Sequence, residues 1–160
     1  MRAAHISSIA LDAKHRHIVF TISKHLGGYF IKDKSLLNLF FIAARNTLAC
    51  VFNDAKYRKI KKKKIYLKKS KCPYSYKNDR NKIVFGSVLT LHTFGRDLKW
   101  NPHIHRLVCE EAFDTKKNKM KNFSFISYEK LRKTWMYQVL DLLSKQELEN
   151  FNYLKQRFYK

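Results

Sequence analysis

The sequence predicts an α+β fold with the element order strand, helix, strand, strand, helix and a further C-terminal helix. Two stretches of alternating apolar residues, joined by turn-forming residues, predict a hairpin of two strands, and stretches with apolar residues three and four apart predict helices. The chain has 160 residues, of which 45% are hydrophobic and 14% aromatic. This length and composition are those of one domain with a hydrophobic core.

The first strand and the first helix are predicted in the N-terminal third of the chain. Residues 1–13 have no clear period and are expected to form a short arm. The run HRHIVFTI from His15 to Ile22 alternates and is rich in β-branched residues, which is typical of a strand. Gly27-Gly28 is expected to break the chain, and Asp33 is predicted to cap a helix that ends near Phe52.

A basic insertion spanning 56–77 follows this helix. It contains eleven Lys or Arg and no acidic residue, with four interleaved tyrosines. Basic side chains contact phosphates and tyrosine rings stack on unpaired bases, so the insertion is predicted to bind single-stranded nucleic acid. The alternative is a solvated insertion whose charge only maintains solubility. The residues expected to bind nucleic acid here and in the hairpin turn are Lys61, Lys62, Lys63, Lys64, Tyr66, Arg96 and Lys99.

The charge of the whole chain supports a polyanionic partner. There are 34 Lys and Arg against 12 Asp and Glu, a net charge of +22, which disfavours an enzyme acting on neutral substrates. The three cysteines form no CxxC pair, so neither a disulfide framework nor a structural zinc site is predicted. No run of about 18 apolar residues and no signal sequence is evident, so a soluble, cytoplasmic protein without membrane contact is expected.

The hairpin from Leu91 to Val108 contains the candidate metal-ligating residues. Ile83 to Phe94 is predicted to form one strand, and a second strand reaches Cys109. His103 and His105 are two apart on the second strand and therefore project from the same face, as metal ligands do. A turn near Leu98 and Lys99 would place His92 opposite His105 on that face. The alternative is that all three are ordinary hydrogen-bonded strand residues.

Two helices are predicted beyond the hairpin. Lysines from Lys116 to Lys121 are expected to form a loop, followed by a short extended piece at Phe123 and Phe125. Ser127 is predicted to cap a helix that reaches Leu142. Ser144 and Glu147 form a capping-box pattern that predicts the last helix. The predicted organisation is therefore an arm at 1–13, a domain at 14–145 containing the basic insertion, and a C-terminal helix or linker at 146–160.

These motifs resemble a known family. Four stretches resemble, in this order along the chain, the two-tyrosine rolling-circle transposases of insertion sequences, whose core motif is HUH (His, bulky hydrophobe, His): the HRHIVFTI strand, the Leu36 to Leu48 helix, the run LHTFGRDLKWNPHIH and the run YEKLRKTW from Tyr128. The resemblance covers most of residues 14–145. It implies an antiparallel sheet flanked by helices, and metal-assisted cleavage of single-stranded DNA at the ends of an insertion sequence, with a tyrosine as nucleophile.

The resemblance also implies a divalent cation, Mg or Mn, on His103 and His105. Two imidazoles alone make a weak site for Mg, which prefers oxygen ligands, so a third ligand is needed. His92 is the first candidate, and Asp97 and Glu110 are alternative oxygen donors. His17 could approach the metal, but it is interpreted as a structural strand residue.

The chain departs from the family at both ends. Members carry a cysteine-rich zinc module before the HRHIVFTI strand, and here no cysteine precedes Cys50. Tyr153 and Tyr159 are six apart and would not share a helix face, and Tyr128 and Tyr137 are interpreted as helix packing and helix surface. We therefore expect a truncated copy without its catalytic tyrosines, inactive as a nickase. The alternative is a non-catalytic nucleic-acid-binding protein.

Overall fold

The computed structural model of the chain describes residues 12–58, 83–123 and 126–158, and within them the side chains of 53–58 are not described. Most of the predicted arm and most of the basic insertion lie outside these ranges. Within these ranges, four strands and four α-helices form an α+β fold with an antiparallel sheet, which confirms the predicted fold class. The elements are β1 (His15–Thr21), α1 (Lys24–Lys32), a 3-10 helix (Lys34–Leu37), α2 (Asn38–Arg58), β2 (Ile83–Phe94), β3 (Trp100–Asp114), β4 (Lys119–Asn122), α3 (Tyr128–Leu143) and α4 (Phe151–Arg157).

Strand β3 pairs with every other strand of the described sheet. It lies between β1 and β2, and its C-terminal part also pairs with β4. Because β2 covers one side of β3 along its length, β1 and β4 lie end to end along the other side. Glu110 joins them: its backbone N–H donates to the carbonyl of Lys14 at 2.8 Å, and its carbonyl accepts from Phe123 at 2.6 Å.

One face of the sheet packs against α2 and α3. Ile18 and Phe20 of β1, with Ile104 and Val108 of β3, are at most 4% exposed. Alternate residues of these strands project to the opposite face, which no described helix covers in the same way. The sheet therefore has a helix-covered face and an exposed face, and α2 and α3 are joined by a hydrogen bond from Asn46 to Gln138 at 3.3 Å.

Trp135 attaches α3 to the first strand. Its ring centroid lies 4.7 Å from that of Phe20 and 5.8 Å from that of Phe40. Its indole N–H donates to the carbonyl of Thr21 at 2.5 Å, so the polar atom of this buried ring is satisfied. The helix is thus positioned at the end of β1.

Arg106 is a charged side chain on the helix-covered face and is only 3% exposed. Its Nε and Nη2 donate to the Ser87 hydroxyl at 3.1 and 2.7 Å, and its guanidinium lies 5.4 Å from the centroid of the Phe85 ring. Burial, followed by the charge of Arg45, lowers the pKa of Arg106 to about 10. The group therefore stays protonated at neutral pH.

Several predicted elements agree with the structure. Strand β2 has the predicted bounds, Ile83–Phe94, and the hydroxyl of Ser127 accepts from the Lys130 N–H at the start of α3. Asp33 caps the 3-10 helix, because its carboxylate accepts from the Ser35 N–H at 2.8 Å, and α2 continues beyond the predicted end at Phe52. Strand β3 is also longer than predicted.

The expected break at Gly27-Gly28 is wrong, because both glycines lie inside α1. Ser23 caps this helix by accepting from the His25 N–H, and Leu26 and Phe30, four residues apart, are fully buried. A glycine costs about 1 kcal/mol in a helix relative to alanine, whereas burying a Leu or Phe side chain contributes about 1.5–3 kcal/mol. Burial of the two side chains outweighs the glycine penalty.

The C-terminal third differs from the prediction in two places. Lys119–Asn122 is a strand and not a loop, since it pairs with Glu111–Asp114 of β3. The capping box at Ser144 is also wrong: Ser144 is the C-cap of α3, and the last helix begins only at Phe151, after Asn150 with a positive φ of 55°. β4 forms through its pairing with β3, which local patterns do not encode, whereas Ser144 ends α3 by donating its N–H to the carbonyl of Leu140 at 3.0 Å.

The helical stretch Lys34–Phe52 has 19 residues and is long and apolar enough to cross a membrane, contrary to the expectation from the sequence. We assign it to the core, because 56% of it is buried and Phe40, Ala44 and Leu48 are 0% exposed. A helix that packs its apolar residues against a sheet needs this composition.

Asp114 should make the stability of the fold depend on pH. Its carboxylate, which is almost completely buried, accepts from Lys121 and from the N–H groups of Lys116 and Lys117 at 3.0 and 3.3 Å, and these bonds lower its pKa from 3.8 to about 2. A pKa lowered by folding stabilises the protein above the unfolded value, and that stabilisation is lost as the pH falls from about 4 to about 2.

Asp114→Asn should therefore lower the urea midpoint at pH 7 and reduce its change between pH 5 and pH 2. Asp97→Asn, at an exposed carboxylate, is the control and should unfold like the parent. Equal acid sensitivity of the Asp114→Asn variant and the parent would contradict the assignment.

Candidate metal centre

The β2–β3 hairpin brings the predicted histidines together. The turn closes through a hydrogen bond from the Gly95 N–H to the Lys99 carbonyl at 2.9 Å, and Leu98 adopts a positive φ of 57°. A Cβ at Gly95 would lie 2.9 Å from the Asp97 carboxylate, so a larger residue at this position would require the exposed Asp97 side chain to move.

The register of the hairpin differs from the prediction by two residues. His92 lies opposite His103, not His105, and Phe94 lies opposite Trp100. The reason is the turn, which comprises residues 95–99 and is centred earlier in the chain than Leu98-Lys99. Because the shift is an even number of residues, His92 remains on the predicted face with His103 and His105.

His92, His103 and His105 form a cluster on the exposed face of the sheet. One ring nitrogen of each lies within 4.8 Å of those of the other two. The ring centroid of His92 is 5.4 Å from that of His103 and 4.4 Å from that of His105, and the last two are 4.9 Å apart. His92 is the most exposed of the three. The arrangement can hold a metal ion, because neutral imidazole nitrogens are common ligands.

The second ring nitrogen of His103 is engaged by the backbone. Its Nδ1–H donates to the carbonyl of Asn101 at 2.5 Å, since a carbonyl can only accept. The Nε2 atom of neutral His103 then carries the lone pair. Burial, with smaller contributions from His92, His103 and His17, lowers the pKa of His105, which favours the neutral ring that a metal requires.

A fourth histidine, His17 of β1, joins the cluster. Its Nε2 lies 2.9 Å from the Nδ1 of His105, and the two rings stack with centroids 5.0 Å apart and planes at 13°. The sequence interpretation of His17 as a structural residue omitted this contact. Alternation in HRHIVFTI places His17 on one face, but only the antiparallel pairing of β1 with β3 brings that face to His105.

The alternative oxygen donors lie outside the histidine cluster. Glu110 accepts from Arg16 Nε and Nη2 at 3.0 and 2.6 Å, and Asp97 accepts from the Lys99 N–H at 3.2 Å. Arg96 and Lys99, expected to bind nucleic acid, are exposed in the turn next to the cluster. Lys61, Lys62, Lys63, Lys64 and Tyr66 lie outside the described residues.

The predicted roles of the tyrosines agree with the structure only in part. Tyr128 is 67% exposed, so the interpretation as helix packing is wrong, whereas Tyr137 is a surface residue as predicted. Tyr128 lines a groove of about 500 Å³ between β1 and α3, together with His17 and Arg132. Tyr153 is 71% exposed on α4, and Tyr159 lies outside the described residues.

Comparison with known proteins assigns the family. Residues 86–158 match the family model described as "Putative transposase". Over 138 residues, or 86% of this chain, the sequence is 31% identical to the transposase for insertion sequence element IS801 from Pseudomonas savastanoi pv. phaseolicola. The chain covers 27% of the length of that relative. No solved structure matches the chain. The family match includes β3 and all three clustered histidines, and the chain belongs to this transposase family.

Proposed function

We propose that the chain is a DNA-binding transposase of the HUH rolling-circle type that acts in the cytoplasm on single-stranded DNA. Its metal centre would serve cleavage and transfer of the strand, but the chain lacks the tyrosine nucleophile for that reaction. The observation that carries the proposal is the convergence of His92, His103 and His105 within 4.8 Å on an exposed sheet face, inside the region that matches the transposase family. The substrates proposed are the ends of an insertion sequence.

The three histidines fit a divalent cation, Mg or Mn. Their rings are close enough to share one ion, and the lowered pKa of His105 favours the neutral, ligating form. When bound, such an ion supplies Lewis-acid polarisation of a phosphate oxygen. His92, His103 and His105 would hold the ion at the exposed face of the sheet. Water or a phosphate oxygen would complete the coordination that these cations prefer.

The surface around the cluster suits an unpaired DNA strand. Phe94 is 55% exposed, and Val88 and Leu107 are each close to half-exposed on the same face. An exposed aromatic ring can stack on a base, while Arg96 and Lys99 at the adjacent turn can contact phosphates. We assign further phosphate contacts to Lys61, Lys62, Lys63 and Lys64 and base stacking to Tyr66.

We also propose that the described residues, 12–58, 83–123 and 126–158, contain no positioned pair of tyrosine nucleophiles. Tyr153 is exposed on α4. A spacing of six residues, as between Tyr153 and Tyr159, corresponds to about 240° around a helix and gives two side chains no common face. A well-oriented nucleophile supplies about 7–11 kcal/mol of barrier reduction, which a tyrosine pair without a common face forfeits in large part.

A second candidate function is nucleic-acid binding without chemistry. The net charge of +22 favours it, because charge alone supports affinity for phosphates. In that case the histidines only complete the sheet. Metal binding separates the two functions.

Removing His103 and His105 together should abolish metal binding. We expect the parent to bind Mn²⁺ and the His103→Ala, His105→Ala double variant to bind more than about 100-fold more weakly, because ligand loss exceeds the 10–100-fold effect of losing an outer-shell partner. Loss of the free-Mn²⁺ electron paramagnetic resonance signal measures binding. His25→Ala, an exposed histidine on α1, is the control. Equal uptake by the parent and the double variant would refute the metal centre.

Replacing Lys61–Lys64 with alanine should make binding of single-stranded DNA less sensitive to salt. The log–log slope should become less negative by about 0.7 per lost phosphate contact, or up to about 2.8 for four contacts. Fluorescence anisotropy at salt concentrations between about 50 and about 300 mM measures the slope. Over this range the Debye length falls from about 14 to about 6 Å. The control replaces four exposed lysines outside the insertion, namely Lys24, Lys32, Lys34 and Lys119. An unchanged slope in the Lys61–Lys64 variant would leave the insertion without a role in DNA binding.

Incubation with Mn²⁺ and labelled single strands should yield binding but no covalent adduct, because the nucleophile is not positioned. The labelled strands should come from the ends of the insertion sequence, and the products should be separated on a denaturing gel. A labelled band at the mass of the protein would overturn this expectation. Loss of the band in the Tyr153→Phe variant would identify Tyr153 as the nucleophile. Loss of the band in the Tyr128→Phe variant would instead identify Tyr128, in the groove beside His17.

A further inference from the structure

The contact between His17 and His105 has two possible hydrogen-bonding states. A neutral imidazole has one N–H donor and one lone pair, so at 2.9 Å either His17 Nε2 or His105 Nδ1 must donate. If His17 donates, neutral His105 carries its proton on Nε2 and has no lone pair left for a metal. If His105 donates, its Nε2 lone pair is available.

We propose that His17 is a positioning residue of the metal centre, which accepts the Nδ1–H of His105 and thereby fixes the tautomer and the ring orientation in which Nε2 of His105 binds the ion. This inference rests on the proposed metal centre. It goes beyond it by assigning a role to a side chain outside the three-histidine cluster.

The hydrogen bond made by His103 supports the same direction of donation, from Nδ1–H to an acceptor. His103 donates its Nδ1–H to the Asn101 carbonyl, so both strand histidines use Nδ1 for a supporting hydrogen bond and leave Nε2 for the ion. Metal-ligating histidines generally donate their second N–H to an acceptor that raises ligand basicity and holds the ring. The backbone provides that acceptor for His103, and His17 provides it for His105.

The position of His17 explains why it supports the site and is not a ligand in it. Among the described residues, the group with mutually close ligand atoms contains His92, His103 and His105 and leaves out His17. His17 lies on β1, where its pairing partner is Leu107, and it therefore reaches His105 diagonally across the strands. The stacking at 13° further restrains the His105 ring.

Two substitutions of His17 separate a hydrogen-bond role from mere packing. Glutamine places a carbonyl oxygen near the former Nε2 and can accept from His105, whereas leucine fills similar space and cannot accept. We expect His17→Leu to raise the Kd for Mn²⁺ by about 10–100-fold. His17→Gln should retain an affinity within about threefold of the parent. His15→Leu, at an exposed histidine on the same strand, is the matched control and should bind like the parent.

A second measurement tests whether His17 is itself a ligand. Electron spin echo modulation of bound Mn²⁺ reports the directly coordinated nitrogens, and His17→Gln should show the same nitrogen couplings as the parent. Loss of one coupling in that variant would overturn the inference, as would parent-like affinity in His17→Leu.

Failure of the inference can be distinguished from failure of the metal centre. If the parent binds Mn²⁺ and the His103→Ala, His105→Ala variant does not, the metal centre stands whatever the His17 variants do. If the parent takes up no Mn²⁺, both proposals are overturned. Circular dichroism of each variant establishes that it is folded.

Discussion

The register of β3 is the constraint on which the rest of the structure depends. This strand pairs with β1, β2 and β4, and its residues alternate between a helix-covered and an exposed face. A slip of one residue would expose Ile104 and Val108 and bury the imidazoles of His103 and His105. Burial of the aliphatic side chains therefore also orients the histidines, so the packing of the core determines the geometry of the candidate metal centre.

The two faces of β3 place opposite demands on neighbouring residues. Arg106 lies between His105 and Leu107 in sequence, yet its guanidinium is buried beside Ser87 and Phe85. His103 and His105 retain contact with the exposed face, where a cation can reach them. Partial burial of His105 lowers its pKa, so the same location that leaves the ring accessible also favours its neutral form.

The sequence was sufficient for features encoded by local periodicity. The His-Ile-His alternation placed His103 and His105 on one face, and the apolar pattern defined β2 and the start of α3. Features that depend on partners distant in the chain were missed or misplaced. Gly27-Gly28 is helical because Leu26 and Phe30 are buried, β4 forms because β3 offers it an edge, and His17 meets His105 only through the order of the strands.

The end-to-end placement of β1 and β4 has a consequence for association between molecules. Together they form one border of the sheet, but each is short, with seven and four residues, and Glu110 marks the junction. A long, flat border with unpaired amides would template strand addition by another chain. Among the described residues, two short segments, one of them carrying the exposed Lys119, present no such continuous template for another strand.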